Sequence, residues 1–421
     1  MVDRWVARWW ATWIISRDGG TAARPVVFRQ GVVTFAVACV VLIALRAVTE
    51  RMLYPPGDPP WDCHWYYTMA KAPLTLQALP FGSRWLTPAL VSLLPVDIET
   101  GFEIVNVFGY ALSAALIHCL LLGEAITGPA AIFALGAYLT SRYTASWAFH
   151  LPVMVDALTH ALLAAALLCA RRGYFKTLIL VTCVGALQKP WVMTALPLHL
   201  AGVVLGAPAG SRVRRVLSIA PWYVLPASCF LVFNQRVAAL GSYGYLGTAN
   251  EMLAKNLGSP TGVLRTLTAF VQAFGIAFPV LLADGKGWLA FLRRNPEWLV
   301  FWFCCLLMFV TGGTNLESFA CYQWPLMAIL LASTLKERAR FWLRPGNLPV
   351  LFAMHLVIGG VFRSWGVGQQ YLDKFAYFAT YESVVSVGDL YGVVAITLFV
   401  WRRSTVRTRL EAPQGAPAIS R

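Results

Sequence analysis

Apolar residues run along this chain in blocks of about 18 to 25, separated by short polar or basic segments, and each block is long enough to cross about 30 Å of hydrocarbon as a helix. The pattern predicts spans at 28–49 and 101–122, a third that follows the tight Gly123–Pro129 connection and ends near 148, and a fourth over 152–170 that stops at Arg171-Arg172. A further element covers 216–234, and spans near 263–283, 297–313, 319–335, 347–363 and 383–401 complete the chain. Two stretches break the rhythm. Residues 50–100 form a polar loop in which RWLTPALVSLLP (84–95) is apolar but too short to cross, so it lies at the membrane interface or re-enters. Residues 177–206 are apolar but interrupted by Gln188-Lys189-Pro190, which predicts a helical hairpin, or two short spans, with Lys189 at the outer turn. The expected fold is all-α: a polytopic membrane protein of about 11–12 transmembrane elements, one integral membrane domain over 1–421, with no separate soluble domain and no internal repeat.

Composition sharpens the membrane reading. The chain is 58% hydrophobic and only 13% charged, with a mean hydropathy of +0.63, whereas soluble domains carry roughly 25% charge. A net charge of +15 raises nucleic acid as a partner, but the distribution of that charge excludes it. Most of the 34 Lys and Arg fall in 4–29, 171–176, 212–215, 286–294, 336–344 and 402–421, on alternate sides of successive spans. Such a bias sets orientation. It predicts cytoplasmic N- and C-termini in a multi-pass protein of the bacterial inner membrane, an amphipathic N-terminal segment over 1–25 (Trp5, Trp9, Trp10 and Trp13 among arginines), and a cytoplasmic basic tail over 402–421. The nine cysteines lie mostly inside apolar runs, and no disulfide framework is expected.

Ionisable groups in or beside spans are costly, and here the unusual ones all fall on the predicted outer side. Asp62, His64, Tyr66 and Arg84 are in the 50–100 loop; Arg142 ends the third span, and Asp156 and His160 open the fourth. Lys189 sits at the hairpin tip, Arg236 begins a second outer loop (235–262), and Glu317 lies in TGGTNLES between two late spans. Several have plainer uses. Asp156 and His160, four apart on a helix, can pair with each other. Arg142 and Arg236 can reach lipid headgroups, Glu317 can cap a helix, and Asp58 in PPGDPP suits a turn. His118, His199 and His355 sit singly in apolar runs, and no spacing for a bound metal or cofactor is present. Asp62 differs in its setting. In WDCHWYYTMAK, positions 62, 65, 66 and 69 share a helical face, so the carboxylate is expected beside Trp65 and Tyr66, partly desolvated and thereby a stronger base. Lys189, in the middle of an apolar run, needs an anion, and the phosphate of a lipid carrier would supply one; Arg84 can meet the same phosphate with a two-point contact.

These stretches resemble the GT-C class of membrane glycosyltransferases, in its mannosyltransferase-like branch. The likeness rests on Asp62 followed by Tyr66-Tyr67 and Ala70 in a long first outer loop, on the Lys-Pro of QKPWVMTALPL, and on the late run GGTNLESFACYQWPL. It extends over roughly 26–335. The chain departs from the pattern where Cys63 and His64, rather than a second acid, follow Asp62, and where Glu317-Ser318 stands in place of an arginine. The resemblance implies a first loop folded as juxtamembrane helices, with Asp62 as the general base of an inverting transfer. It also implies a polyprenyl-phosphate sugar as donor and a glycan or glycolipid as acceptor. From their placement on the outer side, the residues expected to meet these substrates are Lys189, Arg84, His64, Tyr66, Arg142, Asp156, His160, Arg236 and Glu317. Membrane lipids are the remaining expected partners. Two other activities are open to the same residues: a polysaccharide polymerase or ligase working on lipid-linked glycans, and a flippase or secondary transporter with ionisable groups along its path.

Overall fold

The computed structural model describes residues 24–52, 54, 57, 59, 62–75, 77, 81–238, 245–312, 316–358 and 392–401. Among these residues all regular structure is helical. The elements are α1 (Arg24–Val48), α2 (Asp62–Lys71), α3 (Leu86–Ser92), α4 (Ile98–Gly123), α5 (Pro129–Leu139), a π turn (Arg142–Ser146), α6 (Trp147–His150), α7 (Asp156–Arg172) and α8 (Phe175–Ala186). A 3₁₀ turn (Pro190–Thr194), α9 (Ala195–Gly206), a second 3₁₀ turn (Ala209–Ser211) and α10 (Arg212–Ala238) follow. Then come α11 (Tyr245–Leu257), α12 (Pro260–Phe274), α13 (Ala277–Ala283), α14 (Gly285–Arg294) and α15 (Glu297–Thr311). The chain continues through α16 (Leu316–Cys321), α17 (Trp324–Glu337), α18 (Ala339–Trp342), α19 (Asn347–Ile358) and α20 (Gly392–Trp401). Asp58, the N-terminal segment, the 402–421 tail and residues 359–391 lie outside the described residues.

Among the described residues, three helices are long and apolar enough to cross a membrane: Val27–Val48, Ile98–Gly123 and Ala209–Val237. They match three of the expected spans, though the last runs well beyond 216–234. The other apolar runs are built from shorter pieces, and polar or glycine positions within them give the reason. The run expected to end near 148 stops as an α-helix at Leu139. Thr140 turns its hydroxyl back to the Gly136 carbonyl (2.7 Å), Ser141 is extended, and Arg142 opens the π turn. The run at 263–283 bends by 100° between α12 and α13. Gly275 makes that bend with φ +50°, and a Cβ there would lie 2.6 Å from His355 Nδ1. α3 covers part of 84–95, and its seven residues rise only about 10 Å, too little to cross a membrane.

α4 is the centre of the bundle. It packs on α1, α7, α5 and α3, and buries Phe102, Tyr110, Ala114 and Ile117. Gly109 lets α7 come close: a Cβ there would meet the Ala157 carbonyl carbon at 2.7 Å, beside Asp156. Asn106 of α4 donates from Nδ2 to the carbonyls of Ala148 (3.3 Å) and Pro152 (2.8 Å), so it satisfies the irregular backbone that leads into α7.

Salt bridges mark the two ends of the bundle. At one end Arg171 joins Glu124, Glu297 and Asn295, Lys336 donates to the Ala125 carbonyl, and Arg338 faces Asp284. At the other, Arg46 and Arg51 meet Glu99 and Glu103, tying the end of α1 to the start of α4 next to the 50–100 loop. The segment 177–206 is a helical hairpin whose tip lies at this loop end. Phe175, at the start of α8, stacks on His199 of α9 (5.4 Å between rings), and Leu86 N donates to the Leu187 carbonyl at the tip. Gln188, fully buried, fixes the tip from both sides. Its Oε1 accepts from the Thr87 amide (3.1 Å) and hydroxyl (3.0 Å) of α3, and its Nε2 donates to the Val155 carbonyl (2.5 Å) and to Thr159 Oγ1 (3.3 Å). Replacing Gln188 with Leu leaves these groups unsatisfied away from water, at about 1–3 kcal/mol for each one stranded. The variant is expected to show a clearly lowered unfolding midpoint in detergent, and an unchanged midpoint would contradict the staple.

Candidate functional site

The first half of the site is built on α2. Its inward face is Cys63, Tyr66, Met69 and Ala70, and Asp62 stands at the edge of that face in the first turn, where the helix N-terminus favours an anion. The inward face therefore keeps Tyr66 and Met69 of the expected face at 62, 65, 66 and 69, but takes Cys63 and Ala70 in place of Asp62 and Trp65, which are half-buried. The Asp62 side chain is 46% exposed, and its Oδ2 lies 3.6 Å from Arg84 Nη1. Arg84 donates to the hydroxyl of Tyr66 and sits over the rings of Tyr66 and Phe81 (6.0 and 5.9 Å). Phe81 in turn stacks on Trp65 (5.8 Å, 10° between planes). Burial opposes the Arg84 charge, but Tyr66, Asp62 and Asp156 outweigh it and push the guanidinium pKa up. Burial, with the Asp62 charge, holds Tyr66 well above the usual phenol range, so it stays a neutral partner of the arginine. His64 points outward, exposed, edge-on to Trp65.

Behind Arg84 lies the second half, buried inside the bundle. Asp156 opens α7, again at a helix N-terminus. Lys189, extended at the hairpin tip, donates from Nζ to Asp156 Oδ1 (2.5 Å) and to the hydroxyl of Tyr322 (3.0 Å). Tyr322, just after α16, donates its own hydroxyl to the same Asp156 oxygen. The anion that Lys189 meets is thus supplied by the chain itself. Asp156 Oδ2 is buried and has no hydrogen-bond partner among the described residues. The ammonium lies over the rings of Tyr322 and Phe319 (5.5 and 5.9 Å), and Trp191 stacks against both rings. His160 does not pair with Asp156. The Asp156 carboxylate is taken by Lys189 and Tyr322, while His160 stacks on the Tyr322 ring (4.8 Å), with Tyr110 and Tyr138 on its other sides.

Of the residues singled out in the sequence, the fold therefore gathers Asp62, Tyr66, Arg84, Asp156, His160 and Lys189 at one end of the bundle. A neighbouring group holds Arg142, buried at the start of the π turn, and Glu317 on α16, which packs against that turn. Glu317 feels the positive charges of Arg265 and Arg142. Arg236 stands apart, exposed in the last turn of α10, although its neighbour Val237 packs over Gly82. Sequence reasoning missed Tyr322, Trp191 and the stapling role of Gln188. Only Gln188 left a signal: an uncharged polar residue beside the lysine in an apolar run.

The arrangement offers an accessible carboxylate at the rim, a cation behind it with both charged and aromatic neighbours, and an enclosed Lys–Asp–Tyr constellation deeper in. A rim carboxylate can take a proton, and the cations can meet an anionic group. The chain matches no protein-family model, no curated protein and no solved structure.

Proposed function

We propose that the chain is an integral membrane glycosyltransferase that moves a sugar from a polyprenyl-phosphate donor to an acceptor glycan or glycolipid at the extracytoplasmic face. The observation that carries this reading is the layering of the site: an Asp62 side chain 46% exposed at the rim, Arg84 15% exposed behind it, and Lys189 5% exposed within the apolar bundle. A polar acceptor arrives from water and a lipid-linked donor from the bilayer, and this order of groups suits that meeting. Asp62 takes the proton of the acceptor hydroxyl. The acceptor oxygen bonds to the anomeric carbon, the bond from that carbon to the phosphate oxygen breaks, and its electron pair leaves with the polyprenyl phosphate. With a single base and no protein nucleophile, the configuration inverts. Arg84 and Lys189 stabilise the growing negative charge of the leaving phosphate.

The distribution of charge favours an enzyme over a transporter. Among the described residues the buried charged side chains are Arg142, Asp156 and Lys189 near the loop end and Asp284 and Glu297 at the opposite end, with no graded path between them. A polymerase or ligase would use the same rim and differ in consuming a lipid-diphosphate oligosaccharide. The deciding experiment incubates purified protein with labelled polyprenyl-phosphate sugars and a membrane extract. Transfer of label to a glycan or glycolipid is expected, and transfer only from lipid-diphosphate oligosaccharides would select the polymerase instead. Arg84→Gln is expected to raise KM for the donor by about tenfold or more, the usual worth of a charged hydrogen bond. An unchanged donor KM would remove Arg84 from the phosphate site.

A further inference from the structure

One oxygen in the buried constellation has no hydrogen-bond partner among the described residues. Asp156 accepts two hydrogen bonds at Oδ1, from Lys189 and Tyr322, while Oδ2 is buried and without a partner. Buried polar atoms are rarely left this way, and an ionised carboxylate least of all, because it needs several donors to offset its lost hydration. The unpartnered oxygen lies on the same carboxylate that holds Lys189, the cation assigned to the donor phosphate above. Its surroundings are aromatic: Tyr322 and His160 stack at 4.8 Å, and Trp191 and Tyr322 approach at 4.7 Å. Carboxylates beside aromatic planes suit sugars, whose hydroxyls donate to the one and whose C–H faces lie on the other. In a sugar phosphate, the hydroxyl next to the anomeric carbon is the sugar donor closest to the phosphate.

We propose that Asp156 Oδ2 accepts a hydrogen bond from the hydroxyl adjacent to the anomeric carbon of the donor sugar, while Lys189 beside it takes the phosphate. This rests on the glycosyltransferase reading and adds a substrate class to it. The enzyme uses donors with a free hydroxyl at that carbon and discriminates against 2-deoxy and 2-acetamido sugars. Asp156 thereby sets donor specificity, and Tyr322 is a positioning residue that fixes the carboxylate through Oδ1. A hydrogen bond to a charged acceptor that is lost with the analogue leaves a buried carboxylate unsatisfied, which is how sites that bind a hydroxyl reject substrates lacking it.

The test compares polyprenyl-phosphate hexoses with their 2-deoxy counterparts as donors for the purified full-length protein. In the wild type, kcat/KM for the 2-deoxy donor is expected to fall by about 10- to 100-fold. In Asp156→Asn, whose amide nitrogen cannot accept at that position, the ratio of the two donors should collapse toward one. Should that variant not fold, the neutral pair Asp156→Asn/Lys189→Met takes its place: without Lys189 its activity with both donors is lower, and the ratio of the two donors should again collapse toward one. Tyr322→Phe leaves Oδ2 in place and should keep most of the discrimination while activity with both donors declines together, which a merely structural role of Asp156 would not separate. Equal use of both donors by the wild type overturns the assignment and leaves the glycosyltransferase reading intact, as does undiminished discrimination in the Asp156 variants. A wild-type protein that uses no polyprenyl-phosphate sugar overturns both.

Discussion

Asp62→Asn is expected to lower the rate of sugar transfer by about 10²- to 10⁴-fold, the range that a positioned general base contributes, while the protein accumulates folded in the membrane. The two halves of this expectation have separate grounds. The amide cannot take a proton from the acceptor hydroxyl, so the loss falls on the chemical step and appears in kcat. Folding is spared because the side chain is 46% exposed and its 3.6 Å contact with Arg84 is a loose rim pair, worth about 0–1 kcal/mol. The amide gives up the favourable contact of a carboxylate with the α2 N-terminus, worth about 0.3–1 kcal/mol, which leaves the fold in place. The measurement is initial-rate transfer with saturating donor and acceptor, alongside the thermal unfolding midpoint of both proteins in the same detergent. Near-normal turnover removes Asp62 from the chemistry. A lost midpoint would mean that the rim pair holds the loop together, and the activity loss would then say nothing about a base.

What could be read from the sequence follows a physical division. The helical class and the three long apolar helices were legible because a run of apolar residues decides its own structure locally, through length alone. The hairpin was legible for the same reason. Lys189 followed by a proline in an apolar run leaves the chain few options other than a tip between two short helices. The orientation of α2 was not legible, because positions 62, 65, 66 and 69 and positions 63, 66, 69 and 70 are both consistent helical faces, and the choice depends on what packs against them. The partners of Lys189 were also beyond reach. Asp156 is 33 residues away and Tyr322 is 133, and no local rule links them. The anion that a buried lysine demands was therefore foreseen, while its source was not. The π turn at Arg142–Ser146 belongs with these, since it arises where Thr144 bonds back to the Tyr138 and Ser141 carbonyls and Ser141 reaches across to Ala273.

The Lys189–Asp156 pair carries the largest stability effect expected in the molecule. Both side chains are more than nine-tenths buried, so removing either partner strands the other charge without water. Lys189→Met and Asp156→Asn are each expected to cost about 3–5 kcal/mol, whereas the double variant, which buries no charge, should recover most of that loss. The pattern is strongly non-additive, and it appears in the unfolding midpoints of the four proteins measured in one detergent. Additive losses would mean that the two groups do not form a pair. The double variant also separates structure from chemistry. It should be folded, with α7 and the hairpin still joined through Gln188, which bonds Val155 and Thr159 independently of Lys189. Yet it lacks the cation assigned to the donor phosphate, so its donor use should stay low when its stability has returned. A double variant that regained both would make Lys189 and Asp156 a structural pair and leave Arg84 as the cation that meets the donor.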